Sequence, residues 1–208
     1  MKMGVIAGAA ALAVSGLASA SFVGFEVDHS TSGGLEVYKV YAKFSSANDV
    51  VLNAFGTTNL AASNFNDADF VGGSWSPQFT QPGQEAVDSY VTIGGVPGFG
   101  NSTNADPGWG GAGFNQPGIP NGAGWFNSNP PNLQGKVGAD NRTLLAQFVY
   151  LAGTGGLPQY TSALQVGYNQ GLGTATVFGG GEFTIGVPGP GAVALLGLAG
   201  LAGRRRRA

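Results

Sequence analysis

LEVYKVYAKF, residues 35–44, decides the fold class. Tyr38, Val40, Ala42 and Phe44 fall on one side of an extended chain, while Lys39 and Lys43 fall on the other. Successive side chains of a strand point to opposite faces, so this alternation describes a strand with one face in a core and one in water. A helix would need apolar residues at a period near 3.6, and no stretch between 21 and 186 keeps that period over three turns. Runs of the same texture, rich in Val, Tyr, Phe and Thr and bounded by Gly, Pro, Asn or Asp, occur at 22–28, 49–55, 89–94, 143–151, 163–169, 174–179 and 182–186. Eight strands with turn signals between them predict an all-β domain, an antiparallel β-sandwich or jelly roll, over residues 21–186. That length is enough to bury one core.

One region breaks the rhythm. Residues 94–138 hold 13 glycines and 6 prolines, with Trp109 and Trp125 set among them. Too few β-branched residues remain there to hold much sheet. Trp109, Phe114, Trp125 and Phe126 are poor choices for a solvated linker, so the expectation is a long ordered loop folded back on the sheets with its aromatics as plugs.

Charge narrows the partners. Of the 9 basic residues, one is Lys2 and four are Arg204, Arg205, Arg206 and Arg207. The middle of the chain is left with Lys39, Lys43, Lys136 and Arg142 against all 11 acidic residues, a formal charge of −7. Such a body repels phosphate backbones, so nucleic acid is not expected as a partner. With no cysteine there is neither a disulfide framework nor a thiolate ligand, and the single His29 excludes sites needing two imidazoles. No cofactor is expected.

Few side chains suggest chemistry. NFNDAD places Asn64, Asn66, Asp67 and Asp69 within six residues, an oxygen-rich set of the kind Ca²⁺ takes. The spacing is not that of an EF-hand loop, and an Asx-rich turn is the plainer reading. Asn101, Asn104 and Asp106 form a looser second set. His29 is flanked by Asp28 and Ser30, but neighbours on a strand face opposite ways, which argues against a catalytic triad. Trp75, Trp109 and Trp125 are the candidates for ligand binding, since flat rings cover the apolar faces of sugars.

The two ends read as addresses. MKMGVIAGAAALAVSGLASA has a lysine at position 2, an apolar stretch from about Val5 to Leu17, and small residues at Ala18 and Ala20, the layout of a secretory signal peptide over 1–20. At the other end Val187-Pro188-Gly189-Pro190 is followed by an uncharged apolar run over 191–203 and by Arg204 to Arg207. As a helix that run spans about 20 Å, short of the roughly 30 Å of a bilayer's hydrocarbon core, so it suits a short membrane anchor whose arginines hold the adjoining end in the cytoplasm.

This order of motif, apolar run and arginine cluster resembles the PEP-CTERM sorting signal of Gram-negative bacteria. Gly189 stands where that family usually carries glutamate. The resemblance covers 187–208 and implies handling by export machinery and by a membrane sorting enzyme, an exosortase, with delivery to the cell surface or an exopolysaccharide matrix. The same tail is sometimes described as the C-terminal domain of ice-binding proteins, by association only; the threonines here are scattered, not arrayed. Within the domain, SYVTIGG and NRTLLAQFVYL resemble an uncharacterised β domain of secreted bacterial proteins, from which no activity follows. The expectation is an exported, membrane-anchored, then surface- or matrix-directed protein without catalytic activity. A carbohydrate-binding module using the Trp residues of the 94–138 loop is the alternative, with extracellular polysaccharide as partner, and a secreted hydrolase the third.

Overall fold

The alternation in LEVYKVYAKF is realised as a strand, β2 (Leu35–Phe44), with Tyr38, Val40, Ala42 and Phe44 buried and Lys39 and Lys43 partly exposed. The computed structural model describes residues 21–60, 65–151, 159–171 and 173–186. The leader at 1–20, the tail at 187–208 and Asn64 lie outside the described residues.

The remaining strands are β1 (Phe22–Ser32), β3 (Val50–Phe55), β4 (Tyr90–Val91), β5 (Thr103–Ala105), β6 (Trp125–Asn127), β7 (Arg142–Leu151), β8 (Tyr160–Asn169) and β9 (Thr176–Ile185). They form two sheets, a first ordered β1-β2-β7-β4 and a second ordered β5-β6-β3-β8-β9, with every pair antiparallel. The inner faces meet through rings. Phe44 of β2 packs edge-on against Tyr168 of β8 at 5.0 Å, and Phe148 of β7 reaches Phe183 of β9 at 6.4 Å. Leu145, Val166, Leu164, Val51 and Ile185 fill the space between. Burial of such apolar side chains, at about 1.5–3 kcal/mol each, is what holds the two sheets together.

Three expectations need correction. The runs at 174–179 and 182–186 are one strand, because Gly179, Gly180 and Gly181 continue the ladder opposite Val166, Gln165 and Leu164. At Gly179 a Cβ would lie 2.4 Å from the Phe22 ring, so the missing side chain makes room for β1. The strand at 89–94 shortens to two residues, because beyond Val91 the Thr92 and Gly94 N–H groups donate to the adjacent carbonyls of Leu145 and Leu144, both at 2.8 Å, where a regular ladder would use carbonyls two residues apart. The glycine- and proline-rich region does contain sheet: β5 and β6 pair with each other, and β6 joins β3.

Glycine at 135 follows from a close approach. A Cβ there would stand 1.9 Å from the Val51 carbonyl oxygen and 2.9 Å from Ile93. The Gly135 carbonyl accepts from the Val51 N–H at 2.9 Å, so the loop cannot retreat without losing that bond. Gly135→Ala is therefore expected to cost about 1–3 kcal/mol by overpacking. Gly111→Ala, where a Cβ meets nothing within 4 Å, is expected to stay within about 0.5 kcal/mol. Denaturant titration of the two variants checks the contrast; equal destabilisation would contradict the close packing of this segment.

Candidate functional site

The carboxylates singled out in NFNDAD are engaged by the backbone. Asp69 accepts at Oδ1 from the Val71 N–H at 2.7 Å and from the Gly72 N–H, and at Oδ2 from the Ser74 N–H at 2.9 Å. Asp67 accepts from the Asp69 N–H at 3.0 Å and from the Gly73 N–H. Asn66 donates to the Val87 carbonyl at 2.5 Å. The set is a nested Asx turn that orders the crossing from residue 65 to residue 74. Among the described residues no group of three or more His, Cys, Asp or Glu side chains is placed to hold a metal ion.

Sequence reasoning missed the carboxylate beneath that turn. Asp88 is fully buried, accepting from the Ala68 N–H at 2.8 Å and from the Thr80 hydroxyl at 2.6 Å. Burial pushes its pKa up from 3.8 to about 6, aided by the charges of Asp67 and Asp69 and opposed by the two hydrogen bonds. A period-two pattern cannot reveal this, because the partners lie 20 and 8 residues away.

The second oxygen set is pulled apart. Asn101 is buried and bonded to Thr92, Thr103 and Gln134, Asn104 is exposed on the opposite face of the sheet, and Asp106 caps a 3-10 turn through the Gly108 N–H at 2.8 Å. His29 stacks on Tyr38 at 4.5 Å and pairs with Glu36, while Asp28 turns the other way to Arg142 at 3.0 Å. The triad residues are thus separated as strand geometry requires.

All three tryptophans are buried, at 4% exposure or less. Each indole N–H donates to a main-chain carbonyl: Trp75 to Gln116 at 3.1 Å, Trp109 to Gly124 at 2.7 Å and Trp125 to Thr92 at 2.9 Å. They act as plugs, and none offers a ring face to a ligand. Trp75 and the carbohydrate module expected on Trp109 and Trp125 of the 94–138 loop lose their platform for that reason.

Exposed rings are found elsewhere. The outer face of the second sheet carries the exposed Phe126 on β6 and Phe178 on β9 and the half-buried Phe55 on β3, with two shallow hollows on either side of Phe55. The sequence pattern points the other way for this face: it makes 174–179 and 182–186 separate runs and Phe126 a plug, whereas Phe126 stands 37% exposed. No family model, curated protein or solved structure matches the chain.

Two outcomes follow. Because the folded pKa of Asp88 is raised, its protonated form favours folding, and that contribution is lost as pH rises from about 4 through about 6. Asp88→Asn, which keeps the shape, is expected to gain stability relative to the parent over that interval; a difference that does not change with pH in denaturation at pH 4, 5, 6 and 7 would contradict it. Saturating Ca²⁺ is expected to leave the melting temperature unchanged against chelator, since a native-state ion would raise it by mass action.

Proposed function

We propose that the chain is an exported, surface-anchored or matrix-directed β-sandwich protein without catalytic activity. The observation that carries this reading is the bracketing of a two-sheet domain by a leader-like 1–20 and a motif, apolar run and arginine cluster at 187–208. Among the described residues no helix is long and apolar enough to cross a membrane, and the 191–203 run lies outside them. The domain lacks cysteine and closes its core with aromatic and aliphatic packing.

The non-catalytic reading draws support from what the polar groups are doing. Asp67, Asp69, Asp88 and Asp106 serve turns, while Glu26, Asp28 and Asp140 serve Lys43 and Arg142. Carboxylates spent in this way are positioned for folding rather than for acid–base work on a substrate.

In this reading the arginines hold the C-terminus inside while secretion passes the domain outward, and the short apolar run is a temporary anchor. Replacing Arg204 to Arg207 with uncharged residues is expected to weaken retention and release or misroute the chain. Intact-mass analysis of surface material from the native host is expected to lack the residues after about Pro190. Surface protein still carrying Arg204 to Arg207 would contradict the transient anchor and point to Gly189 as the reason.

A further inference from the structure

The two outer sheet faces differ in chemistry. On the first sheet, Arg142 pairs with Asp28 and Asp140 at 3.0 Å, lies 4.3 Å over the Tyr41 ring, and Lys43 pairs with Glu26. Lys39 stands on the same side of β2. On the second sheet the fourth cation of the domain, Lys136, lies beside Val50, at the far end of β3 from Phe55. The stretch around Phe55 holds no lysine or arginine among the described residues.

The strand register lines its rings up. Phe126 stands opposite Asn53, Asn53 opposite Gly167, and Gly167 opposite Phe178, so these residues form one row across β6, β3, β8 and β9. Phe55, two residues along from Asn53, faces Gln165 and then Gly180 in the next row on that side. A Cβ at Gly167 would sit 2.5 Å from Asn53 Oδ1 and 3.0 Å from the Phe178 ring. The bare backbone there lets Phe178 lean over β8 and meet Phe55 edge-on at 6.0 Å. Phe178 stays 60% exposed and Phe126 37%. Around them, the side chains of Asn104, Gln165 and Glu182 form no hydrogen bond with the described residues.

We propose that this face binds a neutral polysaccharide chain laid across β6, β3, β8 and β9. Exposed rings cover the C–H faces of sugar rings, and unengaged amides donate to and accept from their hydroxyls. Among the described residues no cation stands where an anionic polymer would need one, and Glu182, with Asp106 at the edge of the hollow beside Phe126, repels such a polymer. An exposed aromatic row of this kind costs solubility unless something covers it. The property belongs to the folded domain and does not rest on the delivery proposed above.

The test is electrophoresis of the full chain, purified in mild detergent, through native gels containing hydroxyethyl cellulose, galactomannan or dextran, with alginate as the anionic control. Retardation by at least one neutral polymer and none by alginate is expected. Phe126→Ser combined with Phe178→Ser is expected to weaken that retardation about tenfold or more, as loss of central anchors does. Gln165→Ala, an exposed position outside the core, is expected to weaken it by a smaller factor with the melting temperature unchanged. Free migration in all three neutral polymers, equal retardation by alginate, or full retardation of both variants would overturn the proposal. So would a native dimer dissolved by the double variant, which would make the face a contact between copies of this chain.

Discussion

A glycine- and proline-rich segment can join a folded core only if its main-chain polar groups find partners, and here a buried side-chain network provides them. The Thr103 hydroxyl accepts from the Ile93 N–H at 2.9 Å and from Gln134 Nε2 at 3.1 Å. Gln134 Nε2 also lies 3.0 Å from both the Ile93 carbonyl and Asn101 Oδ1, its two hydrogens shared among the three acceptors, and Gln134 Oε1 accepts from the Ser102 N–H at 2.7 Å. Asn101 donates to the Thr92 hydroxyl at 3.1 Å, and the Thr92 carbonyl takes the Trp125 indole at 2.9 Å. Five side chains from four stretches of chain thereby fix residues 92–103 and 125–134 to one another. Satisfied networks of this kind rigidify, and half-satisfied ones destabilise, so it stands or falls as a unit.

What the network fixes determines the rest of the second sheet. With Thr103 and Trp125 anchored, β5 and β6 pair, β6 docks on β3, and Phe126 is presented outward beside Asn53 and Phe55. The sheet face discussed above therefore depends on a region whose composition reads as a linker. The opposite outer face needs no such support, since β1, β2 and β7 are long and their charges pair among themselves.

Much of the architecture was legible because it is local. The run 35–44 gives β2 to the residue, and aromatic content places Trp109, Phe114 and Trp125 in a core, though it places Phe126 there too and that ring faces outward. In sequence the tryptophans suit both a plug and a sugar platform, because a sequence shows that a ring is present and not which way it faces. Asp69 in a turn was legible from the Asx pattern, while Asp88 was not, because burial by residues distant in the chain sets its environment. The glycine triplet 179–181 suggested a break in the strand, yet pairing with β8 on one side and packing on Phe22 override that weak local preference.

Residues 92–134 are an ordered wall of the domain, held by Thr92, Asn101, Thr103, Trp125 and Gln134. Native-state amide hydrogen exchange tests it most directly. The Ile93 and Thr103 N–H groups, both inside the network, are predicted to exchange only with global unfolding, at the rate of the β2 and β7 amides. Exchange of these two amides near the rate of an unstructured peptide, while β2 and β7 remain protected, would contradict the account.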